Sequence, residues 1–108
     1  MTSYRTHTCG QLRKADAGRR VRLAGFLHRR RDHGGVLFLD LRDHYGISQL
    51  VVYPQVSFYA EAGNISRESV LQVEGEVLAR AGDAINPDMP TGEIEIHVGE
   101  FTVLSAAG

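Results

Sequence analysis

Apolar and polar residues alternate with a period of two along most of this chain, as they do in strands that bury one face. In RVRLAGFLHR, Arg20 to Arg29, Val21, Leu23, Gly25 and Leu27 fall on one side, and Arg20, Arg22, Ala24, Phe26 and His28 on the other. In VLFLDLRD, Val36 to Asp43, three leucines (Leu37, Leu39, Leu41) oppose Phe38, Asp40 and Arg42. LQVEGEVLAR, Leu71 to Arg80, turns Leu71, Val73, Gly75, Val77 and Ala79 inward and Gln72, Glu74, Glu76, Leu78 and Arg80 outward. EIEIHV, Glu93 to Val98, turns Ile94, Ile96 and Val98 inward against Glu93, Glu95 and His97. ISQLVVY, Ile47 to Tyr53, is strand-like by its β-branched content, and its inner face is left open by the pattern.

The connections sort these five strands into an architecture. DHGG and DHYG have the Asp/Gly chemistry of tight hairpins and join the first strand to the second and the second to the third. PQVSFYAEAGNISRES, between the third and fourth strands, predicts a short helix around Ser57 to Ala62 that ends near Gly63-Asn64. GDAINPDMPTG, with two prolines and two glycines, is a loop between the fourth and fifth strands. CGQLRKADAG predicts one helical turn before the first strand. The expected fold is all-β: a five-stranded OB-fold barrel with a helix between strands three and four and a short N-terminal helical turn. Gly25 and Gly75, within strands, allow such a sheet to bend sharply. An SH3-like barrel or a small sandwich is the alternative.

Size and charge refine this picture. A chain of 108 residues is one domain, and 43% hydrophobic with 23% charged residues is ordinary for a globular one. No apolar run approaches the roughly 18 residues of a membrane span, and the first residues lack the apolar core of a signal peptide. The single cysteine, Cys9, forms no internal disulfide, which fits a reducing compartment and a cytoplasmic protein. Net charge is −1, but residues 1–31 hold nine lysine or arginine residues and one acid, whereas the rest hold three arginines and twelve acids. That asymmetry predicts a polyanion-binding region on an acidic body, unless the charges interleave and cancel after folding. Eleven of the twelve basic residues are arginine, the side chain suited to phosphates, base edges and rings.

Phe38 is the residue that needs a function. Sliding the strand by one residue to bury it would also bury Asp40 and Arg42, at a cost on the order of several kcal/mol. An outward ring beside Arg29, Arg30 and Arg31 is what an unpaired nucleic-acid base needs, because stacking contributes about 1–3 kcal/mol per base and arginines attract phosphates. OB-folds bind oligonucleotides on the second and third strands. Gln49, on the third, can donate to and accept from one base edge. Arg80 borders the same loop. The alternative for Phe38 is a satellite apolar cluster beneath a neighbouring loop.

Other chemistry is thin. His7 and Cys9 lie two apart without a further ligand pair, so no metal site is expected. His28, His44 and His97 read as exposed strand or turn residues. Asp40 and Asp43 fall on opposite faces of one strand and read as structural ion-pair partners, Asp40 beside Arg42. No nucleophile–base–acid arrangement and no phosphate-cradling glycine loop is present.

Four stretches resemble one family. Tyr4-x-x-x-x-Cys9-Gly-Gln-Leu, Leu23-x-Gly-Phe-Leu-x-Arg-Arg-Arg-Asp-His-Gly-Gly-Val-x-Phe-Leu-Asp-Leu-Arg-Asp43, Gly46-Ile-x-Gln-x-Val51 and Thr91-Gly-Glu-Ile-Glu-Ile96 are similar to the N-terminal anticodon-binding domain of bacterial-type aspartyl-tRNA synthetases, over essentially the whole chain. The resemblance implies that Phe38 stacks on the central anticodon uracil, that Gln49 reads its edge, and that Arg31 contacts the anticodon nearby. It implies that Arg80 and Asn86 serve the third and wobble positions and that Glu95 serves the wobble base. Ala84 stands where many members carry asparagine, which leaves that part of the loop to Asn86. Arg29 and Arg30 are expected on phosphates. A histidine at the place of His33 tends to accompany enzymes that charge both aspartate and asparagine tRNAs, and leucine tends to accompany strict ones, so relaxed specificity is expected here; a solvated turn residue is the alternative.

The expected partner is therefore a tRNA anticodon stem-loop. By resemblance the parent is a class II aspartate–tRNA ligase, a homodimer using ATP and magnesium in a catalytic part that residues 1–108 do not contain. The chain itself is expected to be an excised, non-catalytic binding domain with no cofactor and no membrane association. The competing readings are a sequence-indifferent single-strand binder and a protein-interaction barrel.

Overall fold

The computed structural model describes residues 5–107. Five strands run β1 (Arg20–His33), β2 (Val36–Asp43), β3 (Gly46–Val52), β4 (Val70–Ala79) and β5 (Ile94–Ser105), with helix α1 (Tyr59–Asn64) between β3 and β4 and 3-10 turns at Lys14–Asp16 and Gly82–Ala84. They close into a barrel in the order β1-β2-β3-β5-β4. β3 and β5 are parallel and all other neighbours antiparallel. This is the five-stranded OB-fold barrel that the pattern predicted, with its helix and N-terminal turn in the expected places.

The inward positions form one core. Val21, Leu23, Leu27, Leu37, Leu39, Leu41, Leu71, Val73, Val77, Ile94, Ile96 and Val98 are all buried. β3 resolves its open face by burying nearly everything: Ser48, Leu50 and Val52 join the interior side, while Gln49 and Val51 are covered on the outside. The β1–β2 hairpin turns through Gly34 and Gly35, both at positive φ (61° and 92°), and the Asp32 carboxylate accepts the Gly35 N–H at 2.9 Å. Gly25 and Gly75 sit where an added Cβ would lie 2.4 Å and 2.3 Å from the carbonyl oxygens of Arg42 and His97.

Three expectations about strands need correction, each for a local reason. β1 does not end near Arg29 but runs to His33, and its pairing with β2 jumps from Leu27↔Leu41 to Arg29↔Asp40, leaving His28 as a bulge. The bulge reverses the alternation, so Arg29, Arg31 and His33 share the outer face with Asp40 and Phe38. β5 runs past Val98 to Ser105 because a second register shift, opposite Glu74 and Gly75, swaps parity and lets Phe101 and Val103 pack on the core. Ala79 is exposed and Arg80 buried, the reverse of the expected alternation, because β4 ends at Ala79 and Arg80 folds back under the following loop.

The N-terminal segment docks on the β2–β3 turn. Asp43 accepts the N–H groups of Cys9, Tyr45 and Gly46, and the Ser48 hydroxyl donates to the Cys9 carbonyl at 2.6 Å. Asp43 is thus structural, as expected, and also pairs with Arg5 at 3.6 Å. Burial above all, with Asp43 beside it, pushes the Cys9 thiol well above its usual pKa range. Among the described residues no cluster of three or more His, Cys, Asp or Glu could hold a metal, and no helix is long and apolar enough to cross a membrane.

Candidate nucleic-acid interface

The charge asymmetry of the sequence resolves into two regions. On one side basic residues are neutralised: Arg20 and Arg22 reach Glu74 at 2.6 Å and 3.2 Å, Arg20 also approaches Glu100, and Arg19 pairs with Asp16. The two arginines hold the Glu74 carboxyl below its usual range, Arg20 foremost through its hydrogen bond. Interleaving therefore accounts for part of the positive segment. On the other side, among the described residues, Arg29 and Arg31 have no carboxylate within ion-pair distance and are exposed.

These two arginines flank a cleft of about 740 Å³ on the outer barrel face. Cross-strand pairing places its floor. Residues paired directly on antiparallel strands point the same way, so Arg31↔Phe38↔Val51 forms one row and Arg29↔Asp40↔Gln49 the next. The loop from Arg80 to Glu93 forms the opposite wall and contributes Asn86 and Met89. Glu95 enters from the start of β5.

Phe38 faces outward, as the strand pattern required, and lies half-buried along the cleft. The Arg31 guanidinium carbon stands 6.0 Å from its ring centre, and His33 meets it edge-on at 5.6 Å with an 80° interplanar angle. The ring is thus in contact with a cation and an imidazole. Gln49 is 7% exposed, yet among the described residues its amide makes no hydrogen bond within the chain. An amide can both donate and accept, so this side chain retains both capacities for a ligand.

Arg80 is the most constrained charge in the cleft. Its Nε donates to the Ile94 carbonyl at 2.8 Å and one terminal nitrogen to the Ala84 carbonyl at 3.2 Å. Among the described residues the other terminal nitrogen is buried with no hydrogen-bond partner. Burial pulls its pKa below the usual range; the charges of Glu95 and then Asp40 push it back up, and Arg31 opposes them. Guanidinium stays protonated across the accessible pH range, so a positive donor with one unmatched nitrogen stands in the cleft. Leaving such a group unmatched is costly, and because this nitrogen is buried a ligand acceptor would reach it only if the covering loop shifted.

Asn86 is held by its own loop. Its N–H donates to the Gly92 carbonyl and its Oδ1 accepts the Asp88 N–H, both at 3.0 Å, which leaves the amide NH2 free. Ala84 stands exposed on the cleft rim with only a methyl to offer. Glu95 accepts a hydrogen bond from His97 Nε2 at 2.6 Å.

Of the nine residues expected in the site, eight line this cleft: Arg29, Arg31, His33, Phe38, Gln49, Arg80, Asn86 and Glu95. Arg30 does not. The His28 bulge turns it to the opposite side of the strand, where its guanidinium donates to the Ile65 carbonyl at 2.5 Å, at the end of α1. Its expected phosphate role gives way to a structural one. Sequence reasoning missed Asp40, read as an ion-pair partner of Arg42. Among the described residues Asp40 forms no ion pair and stands in the cleft between Arg29 and Gln49. Its alternation with Phe38 was the available signal. Ile85 and Met89 also line the cleft, and nothing periodic in their loop could have placed them. His97 is half-buried rather than exposed.

A ring open for stacking, a two-way amide beside it, an unmatched guanidinium and free rim cations are the parts needed to hold unstacked bases and their phosphates. Comparison with known proteins agrees. Residues 21–104 match the tRNA anticodon family model, described as an OB-fold nucleic acid binding domain. Over 107 residues the chain is 55% identical to the aspartate–tRNA(Asp/Asn) ligase of Phenylobacterium zucineum, covering 99% of this chain and 18% of that protein. It is equally 55% identical, over the same shares, to the aspartate–tRNA ligase of Streptomyces coelicolor. The asparaginyl-tRNA synthetase of Pyrococcus horikoshii has a similar structure, with a TM-score of 0.79 at 31% identity over 94% of this chain and 23% of that one. The chain thus spans under a fifth of the length of the curated relatives it matches.

Proposed function

The chain belongs to the anticodon-binding family of OB-fold nucleic acid binding domains, and on that premise we propose that its cleft reads the anticodon loop of the tRNA served by a longer aspartate–tRNA ligase. Phe38 takes the central uracil by stacking, and Gln49, one strand over, reads that base's edge. Arg31 lies along the same base and Arg29 on the adjoining phosphate. Arg80 and Asn86 serve the third and the first (wobble) bases, and Glu95 the first. The observation that carries this reading is an outward Phe38 and, diagonally across on the adjacent strand, a Gln49 whose amide has no partner among the described residues, both lining one cleft. Activation of aspartate with ATP and magnesium, the homodimer and the cytoplasmic setting belong to the parent enzyme in this proposal, and no residue of this chain is assigned to them.

Binding of a GUC anticodon stem-loop against a polypyrimidine strand of equal length tests the reading. The stem-loop is expected to bind at least about tenfold tighter, since base-edge hydrogen bonds add to sequence-indifferent stacking. Equal affinities would make the domain a general single-strand binder.

His33 is proposed to set tolerance at the third base, the one position at which the aspartate anticodon GUC and the asparagine anticodon GUU differ. Its imidazole and the Phe38 ring meet edge to face in the lining of the cleft, so His33 adjoins the ring on which the central base is proposed to stack. Relatives named for one amino acid and for both share the same 55% identity with this chain, so overall likeness does not decide the matter. The native chain is expected to bind GUC and GUU stem-loops with similar affinity, and His33→Leu to favour GUC by about fivefold, near 1 kcal/mol. An unchanged ratio in the variant would assign His33 to the turn alone.

A further inference from the structure

We infer that His97 is the positioning residue of Glu95, and that this pair selects a first anticodon base carrying an amino donor. The inference rests on the assignment of Glu95 to that base in the reading above. Glu95 and His97 lie two residues apart on β5, so both side chains leave the same outer face. His97 Nε2 donates to Glu95 Oε2 at 2.6 Å, short for a nitrogen donor, as charge-assisted bonds are. The bond engages one carboxylate oxygen and leaves Oε1 without a partner in the chain among the described residues.

The neighbours show why an orienting bond matters here. Two groups attract the Glu95 carboxylate. Arg80, in the cleft wall, feels its charge but forms no ion pair with it within 4.0 Å. His97 holds it on the other side. A free glutamate side chain samples many rotamers, and one released from His97 would be drawn toward the unmatched Arg80 nitrogen. His97 is itself braced: the Tyr53 ring meets it edge-on at 5.2 Å and 61°, and Val51 is its strand partner on β3. Glu76, its partner on β4, is the other acid facing it. The result is a carboxylate in the cleft lining with one oxygen bonded to His97 and the other without a partner among the described residues.

Guanine offers such an acceptor an N1–H and an N2 amino group on one edge. Inosine differs from guanine only by lacking that amino group. Titration of the 108-residue chain with two stem-loops, guanosine or inosine at the first anticodon position, therefore isolates the contact. The native chain should prefer guanosine by about tenfold, as hydrogen bonds to charged acceptors do. In His97→Ala the ratio should fall toward one, because the guanosine loop loses the amino contact in addition to whatever N1–H contact the two loops share. In His97→Gln, whose amide can donate to the same oxygen, most of the preference should return. A ratio that survives His97→Ala, an equal loss for both loops, or a failure of the glutamine to restore what alanine removes would each overturn the inference. A native ratio near one would remove the amino contact and His97's role with it. If stem-loop binding still depended on Phe38 in that case, the reading of the cleft would stand without this refinement.

Discussion

Phe38→Ala is expected to weaken binding of an anticodon stem-loop by about 1–3 kcal/mol, roughly 5- to 150-fold, while the barrel stays folded. The ring points away from the leucines on either side of it, Leu37 and Leu39, which hold β2 in register from the core. Truncation therefore removes a ligand surface without opening the interior. The ring is half-buried against Arg31 and His33, so some stability is lost, on the order of 1 kcal/mol for a partly buried apolar side chain. Phe38→Leu separates the two effects. Leucine restores much of the apolar contact but has no flat face, so stability should recover while affinity stays low. Calorimetric titration together with thermal melting followed by circular dichroism reads both. Native-like affinity in Phe38→Ala would place the RNA elsewhere on the surface.

The contrast between Phe38 and Arg30 shows which features the sequence carries. Three leucines alternating with Phe38, Asp40 and Arg42 fix the faces of β2, because any slip buries charge. Arg29, Arg30 and Arg31 are chemically identical, so nothing in them reports that the strand bulges at His28 and that the middle one turns away. The bulge is visible only in the pairing with β2. The same holds at β5, where Gly99 and Glu100 interrupt the alternation and conceal the seven residues that follow Val98 up to Ser105. Arg80 departs from the alternation because it lies one residue beyond the end of β4. His97 was placed on the correct face beside Glu95, but a period-two pattern gives direction and not partners, so their hydrogen bond was not foreseen. Residue roles in the β4–β5 loop came from family resemblance alone, since that loop has no period to read.

Gly92→Ala should disable that loop and so test its share of recognition. A Cβ at Gly92 would lie 1.8 Å from the Asn86 carbonyl oxygen, 2.8 Å from its carbon and 3.0 Å from the Met89 carbonyl oxygen. All three are backbone atoms, so no side-chain rotation relieves the overlap. Asn86 must move, and the bonds from the Asn86 N–H to the Gly92 carbonyl and from the Gly92 N–H to the Met89 carbonyl go with it. The flanking structure resists: Thr91 is anchored by its hydroxyl to the Ile47 carbonyl at 2.5 Å, and Arg80 braces the loop's start through Ala84. Overpacking of this kind costs about 1–3 kcal/mol, which should appear as a lowered melting temperature. If Asn86 serves the third base as proposed, its displacement should also make the variant distinguish stem-loops altered at that position less than the native chain does. Asn86→Ala is the comparison variant: it removes the amide, and with it the bond from the Asp88 N–H, but adds no overlap with the backbone, so it should lose discrimination with a smaller drop in melting temperature than Gly92→Ala. If Gly92→Ala melts early yet discriminates like the native chain, the loop is scaffolding, and third-base reading falls to Arg80 and to the His33 side of the cleft.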